Sequence, residues 1–66
     1  MDGRVVRFDA HKGYGFVRSA DGEELFFHCT AITDGSRTVE VGTEVEFERV
    51  AGHSGRYEAI KLSPRS

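Results

Sequence analysis

No stretch of this chain repeats apolar residues at i, i+3, i+4 and i+7, whereas several short runs alternate apolar with polar side chains. Alternation sends successive side chains to opposite faces of a strand, so the pattern predicts an all-β domain. It is cleanest in Glu44-Val45-Glu46-Phe47-Glu48, where carboxylates take one face while Val45 and Phe47 take the other. That is a solvated face backed by a buried one, and a row of like charges also discourages pairing with another sheet edge. A coarse reading gives five strands, at about residues 4–10, 14–18, 23–29, 44–50 and 56–62. They are joined by turns at His11-Lys12-Gly13, at Ser19-Ala20-Asp21-Gly22, whose Asp-Gly pair is a strong hairpin signal, and at Gly52-His53-Ser54-Gly55. One long connection, residues 30–43, separates the third strand from the fourth, and Ser63-Pro64-Arg65-Ser66 reads as a frayed tail.

At 66 residues the chain reads as a single domain, 1–66, near the lower size at which a core suffices without a metal or disulfide. Short strands with one long connection suit a closed or nearly closed barrel, which removes the edges an open sheet would expose. Val5, Val17, Leu25, Phe27, Ile32, Val45, Phe47, Ile60 and Leu62 are the expected core. Cys29 is the only cysteine, so no internal disulfide can form, which favours a reducing compartment. Met1 reads as a natural start, Met1-Asp2-Gly3-Arg4 lacks the apolar segment of a signal peptide, and no run approaches a membrane span. The expectation is a cytoplasmic monomer.

Two runs carry the functional signal, Lys12-Gly13-Tyr14-Gly15-Phe16-Val17 and Leu25-Phe26-Phe27-His28. In the first, Tyr14 and Phe16 share a face with Arg18, opposite Gly15 and Val17; in the second, Phe26 shares a face with His28. Phe26 and Phe27 are adjacent, so one of the two rings must point outward. Neighbouring strands that show rings to solvent offer a surface on which bases stack, at about 1–3 kcal/mol per base. Exposed rings are costly in a small domain unless something binds them. Phe8 is a further candidate ring, although its neighbours leave its facing ambiguous. Lys12 and Arg18 are candidates for phosphate contacts, which position a strand without reading its sequence.

The net charge of −2 hides a strong asymmetry. Residues 1–20 sum to +2, residues 21–48 to −7 and residues 49–66 to +3, so the ring-bearing first part is basic and the acids sit mainly in the third and fourth strands. Local charge, not the sum, governs an encounter with a polyanion.

Other chemistries find little support. His28 lacks company for a metal site: His11 and His53 lie 17 and 25 residues away, and a zinc ion needs about four ligands at usable spacing. Stacking or hydrogen bonding to a base is its expected role. Gly13-Tyr14-Gly15 resembles part of a phosphate-cradling loop, yet no helix follows; its glycines fit a strand bulge or close backbone approach better. No nucleophile is paired with a base at recognisable spacing. Neither an enzyme nor a cofactor or metal is expected.

The Lys12–Val17 run matches the RNP1 signature of RNA-recognition motifs at six consecutive positions, though Arg18 and Ser19 follow without its final aromatic residue. Those domains carry two helices, for which this chain has neither pattern nor length. An all-β chain with this run resembles the cold-shock domain. The resemblance extends over Gly3-Arg4-Val5-Val6-Arg7-Phe8-Asp9-Ala10, the Lys12–Val17 run, Asp21-Gly22-Glu23-Glu24-Leu25-Phe26-Phe27-His28, Thr30-Ala31-Ile32 and Val41-Gly42-Thr43-Glu44-Val45-Glu46-Phe47-Glu48. It implies a five-stranded antiparallel OB-fold barrel, single-stranded RNA or DNA as partner, and RNA-chaperone or transcription- and translation-linked roles. It also implies that Phe26, not Phe27, faces outward. The nucleic-acid-binding residues expected on this basis are Arg7, Phe8, Lys12, Tyr14, Phe16, Arg18, Phe26 and His28.

The departures from the family pattern matter as much. A Trp-Phe pair is usual in the first strand, preceded by lysine; here the residues are Val6-Arg7-Phe8. A further phenylalanine usually follows the Phe-x-His element, and here it is Cys29. The long loop usually holds Gly-Phe-Lys/Arg, and here it reads Gly35-Ser36-Arg37. Loss of three stacked rings removes on the order of 3–9 kcal/mol from a full platform. Arg7 restores part of it, because guanidinium both stacks on bases and attracts phosphate. The expectation is low-specificity single-strand binding, weaker than in typical members. The alternative is a protein-interaction or regulatory barrel whose base platform has degenerated.

Overall fold

The structure, a computed structural model, describes residues 1–33, 38–52 and 55–65. Five strands are present: β1 (Asp2–Asp9), β2 (Tyr14–Ser19), β3 (Glu24–His28), β4 (Glu44–Ala51) and β5 (Tyr57–Pro64). They close into a barrel in the order β1-β2-β3-β5-β4, with β4 returning to β1. A 3-10 turn, Cys29–Ala31, follows β3 directly.

The expected five-stranded antiparallel barrel is present, with one pair of strands as the exception. Directions cannot alternate all the way around a ring of five, so one neighbouring pair must run parallel. That pair is β3–β5, joined at Phe26 and Glu58 and extended by an isolated parallel bridge between Ile32 and Leu62. Thr33 reinforces the extension, because both its backbone N–H and its hydroxyl donate to the Leu62 carbonyl, at 2.8 and 3.0 Å.

Val5, Val17, Leu25, Phe27, Ile32, Val45, Phe47, Ala59 and Leu62 fill the interior. Full burial of an aliphatic or aromatic side chain contributes about 1.5–3 kcal/mol, so this thin core carries most of the fold's stability. Ile60, expected inside, is only half-buried, and Ala59 takes its place. The reason is a bulge. Between Glu46 and Glu48 the register on β5 steps from Ser63 to Ile60, so β5 holds one more residue than β4, and Lys61 adopts a left-handed φ of 54°. The extra residue breaks the two-residue period, and Ala59 and Leu62 both end up facing inward. The expected tail is also shorter than the sequence suggests. Ser63 and Pro64 belong to β5; the Arg65 N–H donates to the Glu44 carbonyl at 2.8 Å and its guanidinium pairs with Asp2 at 2.9 Å.

A second bulge shapes β1. Val5 pairs with Val17 but Arg7 pairs with Phe16, so Val6 is the extra residue. From there on, Arg7 lies in the outer row with Phe16, and Phe8 lies across from Gly15 on the inner side. Gly15 makes this possible: a Cβ there would collide with the Arg7 carbonyl oxygen and press on Phe8 and the Phe27 ring. The Phe8 and Phe27 rings stack nearly parallel, 5.8 Å between centroids.

Candidate nucleic-acid interface

Two tight turns hold β2 and β3 in place. Asp9 accepts from the backbone N–H groups of His11 and Lys12 at 3.0 and 3.1 Å, and Gly13, at a φ of 77°, donates to the Asp9 carbonyl at 2.8 Å. The Gly13 carbonyl in turn accepts from the Cys29 N–H at 2.8 Å, which fastens the β1–β2 turn to the end of β3. At the other end, the Ser19 hydroxyl donates to Asp21, whose carboxylate also accepts from the Glu23 N–H at 3.1 Å. These bonds, the hydroxyl first, hold the Asp21 carboxyl below the usual carboxylate range.

Between the turns the register brings the rings together. Phe16 stands directly opposite Phe26, and Tyr14 opposite His28. Phe26 is the hub: its centroid lies 5.4 Å from Tyr14, 5.8 Å from Phe16 and 5.0 Å from His28, the last two edge to face. Tyr14, Phe16 and Phe26 are half-buried by one another and His28 is exposed. Arg7 extends the row onto β1, its guanidinium carbon 5.9 Å from the centre of the Phe16 ring. The outer row therefore runs Arg7, Phe16, Phe26, Glu58 across four strands.

A charged row borders the rings on one side. Arg4 pairs with Glu44 at 3.0 Å and Arg18 with Glu24 at 2.8 Å. Arg18 thus lies beside the rings as expected, but with its charge already matched. Lys12 is exposed in the β1–β2 turn beside Tyr14. Of the expected site residues, Arg7, Tyr14, Phe16, Phe26 and His28 form one continuous surface, with Lys12 and Arg18 at its margins. Phe8 packs against Phe27 on the other side of the sheet. Gly35-Ser36-Arg37 and His53 lie outside the described residues.

The cations divide in a telling way. Among the described residues, Arg4, Arg18, Arg49, Lys61 and Arg65 each have a carboxylate partner. Arg7, Lys12 and Arg56 have none. Arg7 lies over Phe16, Lys12 precedes the ring-bearing strand, and Arg56 shares a cleft with Phe16 and Phe26. The cations without carboxylate partners thus surround the rings. Arg56 and its neighbour Tyr57 carry no local sequence signal. Only the β3–β5 contact brings them to the site.

A closed five-stranded barrel with rings gathered on its second and third strands is an OB-type barrel of the nucleic-acid-binding kind. Residues 1–64 match the family described as 'Cold-shock' DNA-binding domain, and the chain belongs to that family. It is 46% identical over 56 residues to cold shock-like protein CspC of Bacillus cereus, covering 83% of this chain and 86% of the relative. It is 44% identical over 56 residues to cold shock protein CspD of Bacillus subtilis, covering 83% and 85%. Among solved structures it superposes on Drosophila Unr CSD456 with a TM-score of 0.81 and 30% identity, covering 98% of this chain and 26% of that one. The family binds single-stranded nucleic acids and acts in RNA chaperoning.

Proposed function

We propose that the outer face of β1, β2 and β3 binds single-stranded RNA or DNA with little sequence preference, in the manner of a passive RNA chaperone. Tyr14, Phe16, Phe26 and His28 exchange base–base stacking for base–ring stacking and so keep strands from pairing. Arg7 and Lys12 contact phosphates without reading sequence. The observation that carries this reading is the coincidence of clustered rings with cations that have no carboxylate partner. On a strand face of no function, the rings would be buried and the cations matched, as Phe27 and Phe47 are buried and Arg4 and Arg65 are matched elsewhere on this barrel. The protein acts as a cytoplasmic monomer, without catalysis, in transcription- or translation-linked roles. Binding is weaker than in members that keep a tryptophan at the position of Arg7 and a phenylalanine at that of Cys29.

Titration with a pyrimidine-rich heptanucleotide at low salt tests the proposal. Binding is expected, and with about three phosphate contacts the logarithm of affinity falls against the logarithm of salt with a slope near −2 for a single strand. No detectable binding at high micromolar protein rejects it.

A further inference from the structure

A cleft of about 550 Å³ opens where the ring row meets the parallel seam, lined among others by Phe16, Phe26, Arg56, Tyr57 and Glu58. Its position follows from register. Phe26 pairs with Glu58, so Tyr57 and Arg56 are the residues that precede this contact on β5. Tyr57 is 45% exposed, the only aromatic ring among the large exposed hydrophobic side chains described. It is nevertheless braced. The Arg49 guanidinium lies over the ring, 3.7 Å from its centroid, and is itself held by Glu23 at 3.2 Å. A ring supported by a fixed cation yet nearly half in water is preorganised for a planar ligand.

The charges around the cleft agree with this. Glu23 and Glu24 also line it, but each is matched, by Arg49 and by Arg18. Among the described residues that line the cleft, the ionised groups without an ion-pair partner are the Arg56 guanidinium and the Glu58 carboxylate. One suits a phosphate, and the other accepts hydrogen bonds from base N–H groups. A ring that served only to cap the barrel end would be covered, and it would need no unmatched cation beside it.

We propose that Arg56, Tyr57 and Glu58 form a further nucleotide station on the same strand's path. A base stacks on Tyr57 and the adjoining phosphate meets Arg56, while Glu58, which leaves β5 on the side of Phe26, borders the neighbouring position on the strand's path. The station lengthens the footprint across β5, on a chain that lacks rings at Arg7 and Cys29. It rests on the reading of the β1–β3 face as a base-binding surface.

Fluorescence gives a direct test, because the chain has two tyrosines and no tryptophan. In Tyr14→Phe, Tyr57 is the sole emitter; quenching by a uridine heptamer but not by a tetramer is expected. In the otherwise unaltered chain, Tyr57→Ala weakens heptamer binding about tenfold, or ~1.4 kcal/mol, and leaves tetramer binding within twofold, while Tyr57→Phe binds as the parent does. Arg56→Gln reduces the heptamer's salt slope by about 0.7. If Phe26→Ala weakens binding of both oligonucleotides while Tyr57→Ala alters neither and Tyr57 emission does not respond, the station is refuted and the main surface stands. If Phe26→Ala also leaves binding intact, both fall together.

Discussion

The two faces of the β1–β2–β3 sheet carry the same kind of side chain and use it in opposite ways. On the inner face Phe27 is 1% exposed and stacks on Phe8 above Gly15. On the outer face, one residue away, Phe26 meets Tyr14, Phe16 and His28 and stays half in water. The inner rings are paired face to face and Phe27 is sealed beneath Phe8, whereas two of the three outer contacts are edge to face and leave ring surface open. Pleat, not residue type, decides which phenylalanine is sealed in the core and which stays open to solvent.

The sharpest way to break this contrast is to truncate the two neighbours separately. Phe27→Ala is expected to cost about 3–5 kcal/mol in denaturant unfolding, enough to unfold much of so small a domain. Phe26→Ala is expected to cost about 1–2 kcal/mol of stability while weakening heptanucleotide binding roughly tenfold or more. Equal losses of stability would erase the distinction between the faces. Next in size is Gly15→Ala. Its methyl meets backbone on β1, so a loss of about 1–3 kcal/mol is expected, together with altered near-ultraviolet signals as Phe8 shifts off Phe27. An unperturbed melting curve would show that β1 can move away freely.

The smallest effect concerns the hairpin that joins the two ring strands. The native Asp21 carboxyl titrates below its unfolded value, so its contribution is present above the ordinary carboxylate pKa and is lost as pH falls through the lower native one. Asp21→Asn therefore flattens the acid limb of stability against pH, measured by thermal unfolding between pH 5 and about pH 2. An unchanged limb would mean that the Ser19 and Glu23 bonds to Asp21 do not persist in solution.

Much of this architecture is legible from period alone. Val17, Leu25, Phe27, Val45 and Phe47 point inward as alternation requires, because β2, β3 and the first half of β4 are regular. Legibility ends where the period is interrupted. The extra residue at Val6 turns Phe8 to the inner side, and the one near Lys61 exchanges Ile60 for Ala59; neither bulge has a glycine or proline to announce it. Ser63 and Pro64 look like a tail because their partners, Glu46 and Val45, are remote in sequence. The rings of the site were readable because each strand carries its own. Arg56 and Tyr57 were not, since they reach the site only through closure of the barrel. The matched state of Arg18 was equally hidden, because it depends on the hairpin register that sets Glu24 beside it.

The central place of Phe26 has a dynamic consequence. Three neighbours lean on one ring, so a base that displaces it reorients Tyr14, Phe16 and His28 together. On the proposed reading of this face, occupancy at adjacent positions is linked through a shared mechanical element, and a bound strand would slide in concerted steps instead of releasing one base at a time.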